Sequence, residues 1–313
     1  MSDRSTIDSV AGALDGLAER DAPLGPRTTY RVGGPAALLA TIDDERDLAR
    51  VARATATSGI DVLVVGKGSN MLVSDAGFPG LAIVLGEGFA TIDVEGTTVR
   101  VGASASLPVV ARRTVAAGLT GFEWAVGVPG SVGGAVRMNA GGHGSDLARS
   151  LVGVRVVDLR TGEDGAVPAA DLSLGYRRSD VAAHHLVVSA ELALAPGDPE
   201  AGAAELAEIV AWRRANQPGG PNAGSVFTNP PDDSAGRLVD AAGCKGLRVG
   251  TAEVSTKHAN FIQADDGGRA DDVRALMDEI VRRVRDHTGV TLKPETRLVG
   301  FENSRPDIEG SPS

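Results

Sequence analysis

Gly127-Val-Pro-Gly-Ser-Val-Gly-Gly-Ala-Val-Arg-Met-Asn-Ala-Gly-Gly-His-Gly144 is the most unusual stretch of the chain. Glycine recurs through it with one proline and almost no bulky polar side chain. A structural turn usually needs two or three glycines, so a run of this density predicts a backbone that lies close to a ligand. With few basic residues nearby, phosphate or pyrophosphate would be met by main-chain N–H groups. A second close-approach loop, Gly66-Lys67-Gly68-Ser69-Asn70, follows the apolar run DVLVVG. It is not a P-loop, because Lys67 is followed by Gly68 and the upstream glycine is missing. Neither segment has G-x-G-x-x-G between strand and helix, so a standard dinucleotide fold is unsupported.

Outward from these loops, residues 38–42 read as a strand, and Asp43-Asp44 cap a helix over 45–58 that Gly59 stops. DVLVVG and LAIVL add strands to an α/β start. From about residue 90 the pattern becomes β-rich. TIDVEGTTVRV alternates about Glu95-Gly96 as a hairpin, Ser106 caps a helix to about 117, and VGVRVVDL and LVVSAELAL continue the strands. Ala195-Pro196-Gly197-Asp198-Pro199 reads as a linker. Helices are predicted near 200–214 and over 271–287, the latter with Val273, Leu276, Met277, Ile280, Val281 and Val284 on one stripe. The predicted class is α+β.

The 313 residues suggest two or three domains. The net charge of −10 argues against a general nucleic-acid or anionic-membrane binder. A single cysteine, Cys244, has no intrachain partner and fits a reducing cytoplasm. No signal peptide or membrane-spanning run is evident. Among the five histidines none shows helical i, i+4 pairing or a Cys-x-x-Cys companion, and His184-His185 are expected on opposite faces of a strand, so no metal site is predicted. Ser225 sits in a Gly/Asn-rich loop without a hydrolase elbow. Lys257-His258-Ala-Asn260-Phe261 sets polar groups beside an apolar run, and Glu295 lies between two apolar runs and needs a partner. The residues by themselves predict a nucleotide- or dinucleotide-binding α+β protein and leave its chemistry open.

Taken in order, TTYRVGGPA (28–36), VVGKGSNMLVSDAGFPGLAI (64–83), GFEWAVGVPGSVGGAVRMNAGGHG (121–144), LGYRRS (174–179), NAGSVFTNP (222–230), AGRLVDAAGCKG (235–246), VSTKHANFI (254–262) and KPETRLVG (293–300) resemble the UDP-N-acetylenolpyruvoylglucosamine reductase family. The resemblance implies an N-terminal helical segment over 1–26 and a PCMH-type FAD-binding domain over 27–196, in two lobes split near 90. An α+β substrate-binding domain would follow over 197–301, then a disordered tail over 302–313. It implies non-covalent FAD, NADPH as co-substrate and an enolpyruvyl UDP-sugar as acceptor, in a cytoplasmic monomer.

By the same resemblance Gly66, Lys67, Gly68, Ser69, Asn70, Gly127, Pro129, Gly130, Ser131, Gly133, Gly134, Asn139 and Gly141 would hold the cofactor. Arg177, Ser225 and Glu295 would carry the chemistry, while Tyr176, Asn229, Lys257 and His258 would contact the UDP-sugar. The chain departs from the family pattern at His143, where a tyrosine is expected, and at Asn216 and Thr228, where lysines are expected; Arg213 or Arg214 could compensate. Two rival readings are an oxidase of the same flavin-binding superfold and a non-catalytic sensor. The first lacks a His or Cys in the 60–75 loop for covalent flavin, and the second would not require the intact Ser/Arg/Glu set.

Overall fold

The computed structural model describes residues 2–301; the tail expected to be disordered, 302–313, lies outside the described residues. The chain forms two compact units, each discontinuous in sequence. The first takes the residues up to 20, then 38–67 and 80–215. The second takes 21–37, 68–79 and the chain from 216 onward. A single boundary at 197 does not describe this division.

In the first unit, helix α1 (Arg4–Ala13) begins where the Asp3 carboxylate accepts from the Thr6 amide, 2.8 Å. A four-stranded sheet has the order Ala18–Pro23, Pro35–Ile42, Phe78–Leu85, Val62–Val64. Helix α2 (Glu45–Ser58) starts at Asp44, whose side chain accepts from the Asp47 amide, and ends at Gly59 with φ 63°. It buries Leu48 and Val51 in a core that also holds Val10, Leu38, Ile42, Leu81 and Ile83.

The rest of this unit is built on a five-stranded antiparallel sheet. Its order is Asp164–Pro168, Leu151–Asp158, His185–Ala193, Thr98–Gly102, Ile92–Glu95. Helices α3 (Leu107–Ala116), α4 (Val132–Met138) and α5 (Pro199–Asn216) belong to the same unit. The segment read as a linker is tied down: Ala195–Pro196 pairs with Leu119–Thr120, and the Gly197 amide donates to Gly118 at 2.8 Å. Its Pro/Gly composition signalled a turn, and the pairing partner lies too far away in sequence to leave a local mark. Ile209 then anchors α5 in the core with Trp124, Val126 and Leu151.

In the second unit, a three-stranded sheet (Arg248–Val249, Ala252–Val254, Ile262–Ala264) packs with helices α6 (Ala235–Ala241) and α7 (Ala270–Thr288). Val273, Leu276, Met277, Ile280 and Val284 form the buried stripe of α7, as the 3.6-residue period requires. Met71–Val73 pairs in parallel with Arg297–Val299, which draws 68–79 into this unit.

Helix α7 has Arg269 at its N-cap with no side-chain capping bond of its own. Asp75 supplies it instead, accepting from the Ala270 amide (2.9 Å) and the Asp271 amide (3.2 Å). A carboxylate on orphan amides at a helix start is favoured by hydrogen bonding and by the helix dipole. Asp75→Ala is expected to cost about 1–2 kcal/mol. In thermal unfolding this appears as a Tm lower by several degrees, and an unchanged Tm would show that the cap contributes nothing.

Candidate functional site

Several amides of the glycine-rich segment have partners inside the protein. After the 3-10 turn Glu123–Gly127, the amides of Val128, Gly130, Val132 and Gly133 donate to carbonyls of Ala125, Val128, Ala105 and Ala103. Ser131, buried at 3 %, caps α4 by accepting from the Gly134 amide. These four N–H groups therefore have protein partners, and packing is close at Gly133, where a Cβ would stand 3.1 Å from Ala103 Cβ. At Gly66 a Cβ would stand 2.5 Å from Ser131 Oγ. The two glycine loops meet there without room for a side chain.

The shorter loop offers the free donors. Among the described residues, the amides of Gly66, Lys67, Gly68, Ser69 and Asn70 donate to no acceptor. Gly66 and Lys67 belong to the first unit and Gly68–Asn70 to the second. Gly68 has φ +61°, and a Cβ on it would lie 2.2 Å from the Arg27 carbonyl, so glycine is required on both counts. Lys67 is exposed.

In the first unit Arg177 sits at the tip of a tight turn closed by reciprocal main-chain bonds between Gly175 and Arg178, 3.0 and 3.1 Å. Its φ of 55° places a non-glycine residue in the left-handed region, a strained conformation that persists only where the surroundings fix it. Nη2 of Arg177 donates to the Gly141 carbonyl (3.0 Å), and its guanidinium lies 5.1 Å from the Tyr176 ring centre. Asn139, at the C-cap of α4, donates to the Gly175 carbonyl (2.9 Å) and accepts from the Ala148 amide (2.9 Å). Asn139 and Gly141 are thus occupied in holding the Arg177 turn. Tyr176 remains 62 % exposed.

In the second unit the Ser225 loop and the Glu295 segment are neighbours. The Glu295 amide donates to the Val226 carbonyl at 2.7 Å, and the Thr228 amide donates to Lys293 at 3.0 Å. Ser225 is half-buried, and its hydroxyl has no hydrogen-bond partner among the described residues. Asn70 donates from Nδ2 to the Glu295 carbonyl (3.1 Å), so its side chain positions the acid's backbone. The Thr296 hydroxyl is buried without a partner.

The residues expected to contact the sugar are partly engaged. Oδ1 of Asn229 accepts from the Ala235 amide at the start of α6 (3.0 Å). Nδ1 of His258 accepts from the Asn260 amide (3.2 Å), its ring packs edge-on to Phe261, and burial pushes its pKa down. Lys257 is exposed. Thr228 lends its hydroxyl to the Lys293 carbonyl (3.3 Å). His143 lies in the first unit, edge-on to Trp212 with ring centres 5.2 Å apart, and burial pushes its pKa down as well. Asn260 was visible in sequence only as one polar residue beside an apolar run.

The expectation that His184 and His185 point apart is wrong. Their ring centres are 4.6 Å apart, and the Nε2 of each lies 3.7 Å from Asp158 Oδ2. Strand alternation does not apply because His184 precedes the strand His185–Ala193. Three potential metal-ligand atoms therefore converge. Nδ1 of His185, however, accepts from the Ala182 amide at 3.1 Å, whereas a ligating histidine normally donates from its second nitrogen. That bond puts the neutral ring's proton on Nε2, facing Asp158.

Comparison with known proteins fits both units. Residues 36–163 match the FAD binding domain family, and residues 215–299 match the family described as UDP-N-acetylenolpyruvoylglucosamine reductase, C-terminal domain. The UDP-N-acetylenolpyruvoylglucosamine reductase of Rubrobacter xylanophilus is 41% identical over 94% of this chain and 99% of its own length. The chain belongs to the UDP-N-acetylenolpyruvoylglucosamine reductase family. The reductase of Acidiphilium cryptum is 43% identical over 90% of the chain and 91% of its own. The crystal structure of UDP-N-acetylenolpyruvylglucosamine reductase (MurB) from Thermus caldophilus superposes with a TM-score of 0.79 at 38% identity, covering 90% of this chain and 98% of that one. As a member of this reductase family, the chain is an FAD-dependent oxidoreductase with the α+β architecture expected. Among the described residues no helix is long and apolar enough to cross a membrane.

Proposed function

We propose that the protein reduces the enolpyruvyl ether of UDP-N-acetylglucosamine to UDP-N-acetylmuramate, a cytoplasmic step in peptidoglycan precursor synthesis, with NADPH as the reductant. The observation that carries this reading is the pairing of Glu295 with Val226. It brings together, in one unit, the acid and the serine loop that the family resemblance had marked 70 residues apart in sequence.

The residues present fit FAD. The unpaired amides of Gly66–Asn70 suit an anionic diphosphate, and the 60–75 loop has no His or Cys to attach flavin covalently. Bound FAD would supply the redox chemistry, accepting a hydride from NADPH and passing it to the terminal carbon of the enolpyruvyl group.

The protein's own groups handle the charge and the proton. Hydride addition leaves negative charge at the adjacent carbon, delocalised into the carboxylate. Arg177, permanently cationic and forked, stabilises that charge. Glu295 orients the same region. Ser225 gives its hydroxyl proton to the carbon, which completes the addition of one hydride and one proton across the double bond. A serine hydroxyl is a weak acid, but an enolate-like carbon is a strong base, so proximity is sufficient. Asn229, Lys257, His258 and Tyr176 contact the UDP-sugar. The Nε2 edge of His258, whose Nδ1 is taken by the Asn260 amide, faces that role.

The test is an anaerobic absorbance spectrum of the purified protein. Flavin bands should bleach with NADPH and return when the enolpyruvyl UDP-sugar is added. Bleaching without return would leave a flavoprotein with a different acceptor.

A further inference from the structure

Asn260 is 4 % exposed and lies in the turn between the strands Ala252–Val254 and Ile262–Ala264. Its side chain bonds both main-chain groups of one residue: Oδ1 accepts from the Phe227 amide (3.0 Å) and Nδ2 donates to the Phe227 carbonyl (2.8 Å). Its own carbonyl accepts from the Val226 amide (2.9 Å). A side-chain amide here takes the place of a neighbouring strand. The opposite edge of the same segment bonds Lys293 and Glu295. Val226–Thr228 is therefore the middle rung, with Asn260 on one side and the Glu295 segment on the other.

Asn260 is itself fixed. Ser255 Oγ accepts from the amides of Lys257 and His258, 3.1 and 3.4 Å, and His258 Nδ1 accepts from the Asn260 amide. On the outer side Asn70 holds the Glu295 carbonyl. A continuous hydrogen-bonded path thus runs from Ser255 through Asn260 and Val226 to Glu295. Phe227 is 1 % exposed, so neither of its main-chain groups can turn to water if Asn260 is lost.

We infer that Asn260 is the positioning residue that sets the register of Ser225 against Glu295, acting on proton delivery without touching the substrate. The inference rests on the function proposed above. Only a side chain with one acceptor and one donor at this length satisfies both groups of Phe227. A carboxylate in its place keeps the acceptor and sets a second lone pair against the Phe227 carbonyl, whereas a protonated carboxyl restores the donor. Burial raises the pKa of such an acid, so the replacement becomes a switch that pH can throw.

Asn260→Asp is tested in the flavin-loaded protein. At pH about 8 reoxidation by the enolpyruvyl UDP-sugar should fall on the order of 10²-fold, as a misplacement of about 1 Å can cause. Reduction by NADPH should not change. Amide hydrogen exchange should quicken together at 225–228 and at 293–296. As pH falls toward about 5.5, both the rate relative to the unaltered protein and the exchange protection should recover. If the variant does not fold at the higher pH, Asn260→Ser carries the same two readouts without the pH arm. Wild-type reoxidation at high pH, equal loss in both half-reactions, or exchange rising at 225–228 alone would overturn the inference. If the unaltered protein's reduced flavin is not reoxidised by the sugar, the proposed function falls, and hydrogen exchange still decides whether Asn260 couples the two segments.

Discussion

Ser225→Ala is expected to slow reoxidation of the reduced flavin by the enolpyruvyl UDP-sugar by about 10²–10⁴-fold, with NADPH reduction untouched. The hydroxyl has no partner among the described residues, so its removal leaves no protein group unsatisfied. The loop is held by main chain and by its neighbours: the Asn222 side chain accepts from the Gly224 amide (3.0 Å), and the Val226 amide is bonded to Asn260. Alanine should therefore fold like serine, and the loss should fall on the chemical step. Rapid mixing under single-turnover conditions separates the half-reactions. A variant that reoxidises at the full rate would assign the proton to another group.

Arg177→Ala is expected to lower the same rate by about 10²–10³-fold, the usual cost of removing one donor from a site of developing negative charge. It should also raise the KM for the sugar, because the substrate carboxylate is charged before reaction as well as during it. The turn should survive, since the Gly175–Arg178 bonds and the Asn139 bond to Gly175 do not involve the Arg177 side chain. Arg177→Lys should recover little, because a lysine carries the charge on one point and cannot donate to Gly141 while presenting a fork. A lysine variant close to full activity would mean that charge alone matters.

Much of the local structure was legible in sequence. Helix α2 runs over 45–58 between an Asp44 cap and Gly59, because capping and left-handed termination are written in adjacent residues. The hairpin about Glu95-Gly96 is also present, with Ile92–Glu95 paired to Thr98–Gly102. The long-range features left no such mark. Asp75 capping α7, and the tie at Ala195–Pro196, each depend on a partner the local pattern does not mention.

The site shows the same division. Glycine density at 127–144 marks an unusual backbone, but it does not say which of its amides bond within the protein, as those of Val128, Gly130, Val132 and Gly133 do. The Gly66–Asn70 loop, a weaker signal in sequence, is the one whose amides have no protein acceptor among the described residues. Asn260 was marked only as one polar residue beside an apolar run, because its partner Phe227 lies 33 residues away.

The parallel pair of Met71–Val73 with Arg297–Val299 also bears on how the molecule is made. From residue 71 to residue 297 the ribosome must add 226 residues, which takes roughly 10–45 s at ordinary elongation rates. The whole first unit has been translated once residue 215 is made. Throughout that interval Met71, Leu72 and Val73, all buried in the finished protein, wait as an unpaired apolar strand. The nascent chain therefore passes through a stage in which one unit can be complete while carrying exposed pieces of the other, and it is then that chaperones and proteases meet its stickiest surface.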